Sequence, residues 1–129
     1  MGYRVVDPDE VEPTPDRPCD LRRLSEPAGL ERIAVNRFVA DPGEQIPLAY
    51  HYHDEQEEAF YVLSGTLHVE TPDGTYRIPE DELFAVDPGS PQRAHNPADA
   101  DAPVRVLALG APPADDDAHA YDPASRGDD

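Results

Sequence analysis

The sequence contains no lysine and no tryptophan, and it has a single cysteine and a single methionine among 129 residues. Arginine therefore accounts for all 10 Lys and Arg residues, against 28 Asp and Glu residues, and the formal net charge is −18. We expect no nucleic-acid partner, because phosphate binding needs a basic surface. The lone Cys19 cannot form an internal disulfide, and it has no His or Cys neighbour at ligand spacing, so we interpret it as an unpaired thiol.

Long apolar runs are also absent. No run approaches the roughly 18 residues that a membrane helix needs, and residues 1–8 lack the apolar core and cleavage site of a signal peptide. We therefore expect a cytoplasmic protein with no membrane partner. A chain of 129 residues with 38% hydrophobic content suits one compact core and is too short for two ordinary domains.

The unbalanced acidity has a consequence for stability. Self-repulsion among like charges destabilises a compact chain in dilute salt, whereas at 1 M salt the Debye length falls to roughly 3 Å. The lysine-free, Asp-rich composition resembles that of haloarchaeal proteins, which work in concentrated potassium chloride. We therefore expect a halophilic protein, and an acidic protein of a mesophile is the alternative.

Both ends of the chain are rich in proline and acidic residues. Residues 7–20 and 111–129 carry too little apolar surface to order themselves. We predict an N-terminal arm over residues 1–30, a barrel over 31–110 and an acidic disordered tail over 111–129. Within the arm, Val5 and Val6 could add an edge strand, and residues 21–30 could form a helical turn or a docking segment.

Between these ends, short apolar runs alternate with turn residues, which is typical of an antiparallel β-sandwich or barrel. Asp73-Gly74 is the best hairpin turn, because these residues accept the positive φ of a type I′ turn. No stretch keeps a long helical periodicity, so helix is a minor component. The predicted strands are 33–40, 46–53, 58–63, 66–71, 75–78, 83–86, 92–96 and 104–109.

The densest group of potential metal ligands is His51-Tyr52-His53, followed by Glu58. Alternate side chains of a strand share a face, so His51 and His53 point the same way. A turn over residues 54–57 would bring Glu58 back beside them, and two imidazoles with one carboxylate leave coordination positions open, as in non-haem iron sites. For an HxH pair alone, the other interpretation is a half-exposed strand among solvated acids.

The order and spacing of these residues resemble the first motif of the small single-domain cupins. That motif consists of a glycine, an HxH pair, a glutamate and, after six residues, a second glycine. Here it corresponds to Gly43, His51, His53, Glu58 and Gly65. The stretch from Gly43 to His51 is two residues longer than is common in the family.

A second cupin motif follows, with a Pro88-Gly89 turn, Gln92 and Asn96. Where the family places its fourth ligand, a histidine, this chain has Gln92, and His95 lies three residues further on. Strand alternation puts Gln92 and Asn96 on one face and His95 on the other, unless a β-bulge rotates the strand. We therefore predict Gln92 as a weak fourth ligand or contact, with His95 as the alternative.

The resemblance implies an all-β, cupin-type double-stranded β-helix, a jelly-roll barrel of antiparallel strands. It also implies a divalent transition metal (Fe, Mn, Ni or Zn) as the cofactor. The implied metal ligands are His51, His53, Glu58 and Gln92.

For function, the family implies that the barrel holds a small polar molecule, and that the protein is a metal-dependent oxygenase or isomerase. A non-catalytic module that binds or senses a small molecule or a metal is the alternative, followed by a metal-free structural barrel. No catalytic residue is assigned; His68 and Tyr61 are the candidates for a general acid or base. A homodimer is expected, because small barrels have exposed edge strands.

Four further arginines lie in or beside predicted strands. We expect surface ion pairs from them, although one that faced inward could fix an anionic substrate. These arginines are Arg37, Arg77, Arg93 and Arg105.

Overall fold

The computed structural model describes residues 2–46, 49–113 and 117–123. In this part of the chain, ten β-strands form sheets of five, three and two strands, all with antiparallel neighbours. The strands are β1 (Asp20–Arg23), β2 (Ala34–Ala40), β3 (His51–His53), β4 (Glu57–Ser64), β5 (Leu67–Thr71), β6 (Gly74–Ile78), β7 (Leu83–Val86), β8 (Arg93–His95), β9 (Val104–Ala111) and β10 (Ala118–Ala120). A 3₁₀ helix (Pro8–Glu10) and a short helix α1 (Ser25–Ala28) complete the set.

The five-stranded sheet has the order β1-β2-β9-β4-β7. Its central strand β9 alternates strictly in burial at its start, with Val104 and Val106 fully buried and Arg105 exposed between them. This period of two is what a sheet with one face on the core requires. The sequence pattern therefore fixes which face of β9 packs inward.

The three-stranded sheet has the order β6-β5-β8 and contributes Leu67, Val69 and Ala94 to the same buried cluster as the larger sheet. Gly65, at the turn between β4 and β5, has φ +79°. A Cβ at this position would lie 2.5 Å from the Pro103 carbonyl oxygen, so both the conformation and the space require glycine. The core lies where the apolar faces of the two sheets meet.

The two-stranded sheet pairs β3 with β10. β3 also forms an isolated antiparallel β-bridge, between His51 and Gln92, the residue before β8. The His51 backbone N–H donates to the Gln92 carbonyl (3.1 Å), and the Gln92 N–H donates back to the His51 carbonyl (2.9 Å). This reciprocal pair places the start of β3 directly against residue 92. The two sequence motifs are therefore adjacent in space.

The predicted all-β antiparallel architecture is confirmed, and each predicted strand overlaps an observed one. The strand predicted over 46–53 was too long: the observed strand is His51–His53, and Ile46, Ala49 and Tyr50 lie outside it, while Pro47 and Leu48 lie outside the described residues. The strand predicted over 92–96 is Arg93–His95. A helical turn does form within 21–30, but the proposed edge strand at Val5 and Val6 does not, and Val5 is 99% exposed.

Two observed strands were not predicted. β1 lies within the segment assigned to the arm and pairs with β2, and β10 lies within the segment assigned to the tail. Each is short, and β1 has Leu21 as its one deeply buried side chain, so neither carries an alternating pattern of its own. The division into arm, barrel and tail stays a prediction. In the described residues no helix is long and apolar enough to span a membrane.

Candidate metal centre

Strand β3 places His51 and His53 on one buried face, with 7% and 8% of each residue exposed and Tyr52 turned the other way. β4 begins at Glu57, and the side chain of Glu58 lies beside the two histidine rings. One potential ligand atom from each of the three residues lies within 4.8 Å of the others. Such a group could hold a metal ion, as the sequence spacing suggested.

The His51 ring is oriented by the backbone. Its Nδ1 lies 2.8 Å from the Ala49 carbonyl oxygen, which can only accept a hydrogen bond, so Nδ1 carries the proton and Nε2 keeps its lone pair. Burial lowers the pKa of both His51 and His53 below the ordinary imidazole value. The lowered pKa favours the neutral form of both rings, which is the form that binds metals.

Glu58 is the acidic member of the group. Its Oε1 lies 3.3 Å from His53 Nε2. Burial raises the pKa of Glu58 to about 7, and the hydrogen bond from Gln92 opposes the shift. A divalent cation beside this carboxyl would favour its ionised form.

Gln92 lies beside Glu58, and His95 does not. The Gln92 Nε2 donates to Glu58 Oε1 at 3.5 Å, a long hydrogen bond, and the residue is 2% exposed. Its Oε1 is buried without a hydrogen-bond partner in the described residues, which suits a ligand oxygen. His95 lies on the other face of β8, where its ring is 5.9 Å from that of His68. Ligation by Gln92 stays a prediction.

A cavity of about 680 Å³ adjoins this group. Apolar side chains form much of its lining, among them Leu21, Phe38, Ile46, Phe60 and Leu109. Charged side chains from the N-terminal segment also line it, namely Arg17, Arg23, Glu26 and Glu31. The sequence had suggested that residues 21–30, which contain Arg23 and Glu26, could form a docking segment, but it did not indicate that these side chains line the cavity.

The other predicted candidates are not brought to the cavity. The Tyr61 hydroxyl donates to Asp81 (3.2 Å), and His68 packs against His95. Arg37 pairs with Asp9 (3.2 Å) and Arg93 with Glu70 (2.7 Å). None of the four strand arginines is among the residues that line the cavity.

Asp117 is a neighbour of the site that sequence reasoning missed. Its carboxylate accepts hydrogen bonds from the backbone N–H groups of Asp54, Glu55 and Gln56, each at 3.0 Å. One of its oxygens lies 3.8 Å from His53 Nδ1. In sequence it is the last of three consecutive aspartates, and no spacing distinguishes it from the other two.

This chain is similar to known proteins over the region that contains the proposed ligands. A family model described as a cupin domain matches residues 36–110. The chain is 34% identical over 108 residues to "Polyketide synthase CurC" of Streptomyces cyaneus, a match that covers 79% of this chain and 66% of that protein. The chain thus spans just under two thirds of this relative's length.

Solved structures share the fold. A structure described as a sugar phosphate isomerase from a cupin superfamily, from Silicibacter pomeroyi, is 25% identical with a TM-score of 0.69, over 84% of this chain and 75% of that one. The polyketide cyclase RemF from Streptomyces resistomycificus is 22% identical with a TM-score of 0.70, over 85% and 80%. The composition resembles that of haloarchaeal proteins, but these relatives are bacterial, so they do not support an archaeal origin. The fold is the double-stranded β-helix, and the chain belongs to the cupin family.

Proposed function

We propose that this cupin binds a divalent transition metal, one of Fe, Mn, Ni or Zn, and holds a small carbonyl-bearing molecule in the adjoining cavity. The ligands would be His51, His53 and Glu58, with Gln92 as the fourth. The observation that carries the proposal is the convergence of two imidazoles and a largely buried carboxyl within 4.8 Å. Beside them is a buried amide oxygen that has no hydrogen-bond partner among the residues that the structure describes.

The residues around the site suit this role. A bound metal would supply Lewis-acid or oxygen-activating chemistry at the inner end of the cavity. Phe38 and Phe60 would pack against the apolar part of the ligand and exclude water from it. Arg17 and Arg23 are exposed lining residues, so they would meet anionic groups at the cavity opening.

Of the two reaction classes predicted, isomerisation has more support than oxygenation. Two relatives that are at least 25% identical to this chain are described as a polyketide synthase and a sugar phosphate isomerase. Polyketides and sugar phosphates both carry carbonyl groups, and removal of a proton beside a carbonyl is a step common to their isomerisation and cyclisation. We therefore propose isomerase-type or cyclase-type chemistry.

One observation favours the alternative, a non-catalytic module that binds or senses a metal or small molecule. Apart from the proposed ligands, the carboxyl or imidazole groups among the described lining residues belong to Glu26 and Glu31, and both residues are exposed. Tyr61 and His68, the candidates for a general acid or base, lie elsewhere. A catalytic cupin would therefore need one of these two glutamates, or a ligand residue, to transfer the proton.

Deuterium exchange distinguishes the two functions. The metal-loaded protein is incubated in D₂O with fructose 6-phosphate or acetophenone, and NMR follows both probe binding and exchange beside the carbonyl. We expect binding and exchange with the wild type and neither with His51→Ala. Binding without exchange would support the non-catalytic module, and a metal-loaded protein that does neither would contradict the proposed carbonyl ligand.

We also propose a homodimer, on the general ground that small barrels expose strand edges. Light scattering at high salt should return twice the chain mass. A monomer mass throughout the micromolar range would contradict this assembly.

A further inference from the structure

The C-terminal strand β10 lies along the strand that carries the two histidine ligands. The pairing is antiparallel, with Ala118 opposite His53 and Ala120 opposite His51. Residues far apart in sequence thus lie against the proposed ligands. The residue just before this strand, Asp117, is brought to the end of β3.

Asp117 is held firmly in place. Its two carboxylate oxygens accept three backbone N–H groups from residues 54–56, the loop that connects β3 to β4. This loop separates the two ligands His53 and Glu58 in sequence. The side chain of Asp117 is 11% exposed, so the carboxylate is largely shielded from water, and three accepted bonds leave it one further acceptor site.

The His53 ring lies between two carboxyl groups. Its Nε2 is 3.3 Å from Glu58 Oε1, and its Nδ1 is 3.8 Å from Asp117 Oδ2. Nδ1 is inaccessible to solvent and has no hydrogen-bond partner in the described residues. The ring therefore faces the proposed metal with one nitrogen and Asp117 with the other.

We propose that Asp117 is a positioning residue for the metal ligand His53, an inference that rests on the proposed function. When Nε2 binds a metal, Nδ1 carries the proton, and a fixed carboxylate is the acceptor that orients the ring and raises its basicity. The C-terminal segment thereby forms part of the metal centre. Loss of such an acceptor lowers metal affinity by about 10-fold to 100-fold in other sites.

The test compares Asp117→Ala and Asp117→Asn with a matched control, His119→Ala. His119 lies on the same strand, and its ring contacts Tyr52 and Asp54. With Asp54 and Asp117 it forms a second group that could hold a metal, so this control also shows whether zinc bound there contributes. Zn²⁺ affinity is measured by competition with a chromophoric chelator. We expect both Asp117 variants to lose about 10-fold to 100-fold in affinity, and the control to stay near the wild type.

A second readout separates positioning from loop stability. In the zinc-loaded, ¹⁵N-histidine-labelled wild type and control, the His53 Nδ1 proton should be shifted downfield and protected from exchange with water. In Asp117→Ala this proton should exchange rapidly, and the Asn variant, which keeps one oxygen for the loop, should still fold and show the same loss.

Three results would overturn the inference. Unchanged zinc affinity in both Asp117 variants overturns it while the proposed metal site stands. Reduced affinity with an unchanged Nδ1 proton assigns Asp117 to the loop alone. A wild type that binds no zinc overturns both this inference and zinc as the metal of the proposed site.

Discussion

The side-chain amide of Gln92 lies 3.5 Å from the Glu58 carboxylate, at the position where the resembled cupin motif has a histidine. The opposite face of β8 carries His95, beside His68. The strand thus turns the amide towards the proposed metal and the imidazole away from it. This arrangement leads directly to a prediction about the fourth ligand.

Gln92→His should tighten metal binding by about tenfold, equivalent to about 1.4 kcal/mol, because a neutral imidazole is a better ligand than an amide oxygen for Fe, Ni or Zn. His95→Ala should change the affinity little. Both are measured by chelator competition on the same metal. Loss of binding in His95→Ala with no effect of Gln92→His would mean that β8 is rotated and that His95 is the ligand.

The core strands were predictable because local features of their sequence, namely alternating burial and turn glycines, are enough to identify them. In β9, alternation from Val104 onward identifies the buried face, and a glycine is required at Gly65 by the close approach of Pro103. β1 and β10 were not predictable in the same way. Their pairing is determined by the free edges of β2 and β3, and such tertiary partners leave no period in a three- or four-residue segment.

Stability without metal should fall as pH rises, because burial raises the pKa of Glu58 from 4.5 to about 7. Between these pH values the folded state keeps a proton that the unfolded state has released, so the free energy of unfolding contributed by this group decreases, by roughly 3 kcal/mol in total. Above about pH 7 the stability contributed by Glu58 is lost in full, and below pH 4.5 it is fully present.

Glu58→Gln removes this titration. In the presence of a chelator, the variant should gain stability relative to the wild type as pH rises through this window, with a constant difference above about pH 7. Urea unfolding at a series of pH values measures the difference. A stability difference that does not depend on pH would contradict the raised pKa of Glu58.

Salt should stabilise the fold. The net charge of −18 is unbalanced by any lysine, so screening should raise the thermal midpoint steeply between about 0.1 M and 3 M potassium chloride. Sucrose, which is excluded from protein surfaces without screening charge, is the control and should give a much smaller rise. Equal midpoints across the salt series would remove the halophilic interpretation.

As with the strands, some residues of the candidate site could be predicted from the sequence and others could not. His51, His53 and Glu58 were predictable because a period-two strand followed by a turn brings them together. Asp117 and the cavity-lining Arg17 were not, because they come from proline- and acid-rich segments whose positions depend on packing against the barrel. For Arg23, the sequence suggested only that its segment could dock. Local pattern thus predicted the proposed ligands, while the surroundings that would select a substrate required the tertiary structure.

Elemental analysis of tag-free protein, purified at high salt, tests the central claim most directly. We expect close to one transition metal per chain in the wild type, and none in His51→Ala or His53→Ala, because two imidazoles and a carboxylate converge inside the barrel. His68→Ala, which changes a histidine away from the cavity, should keep its metal. A wild type that stays metal-free after anaerobic preparation with iron, manganese, nickel and zinc in turn would contradict the account.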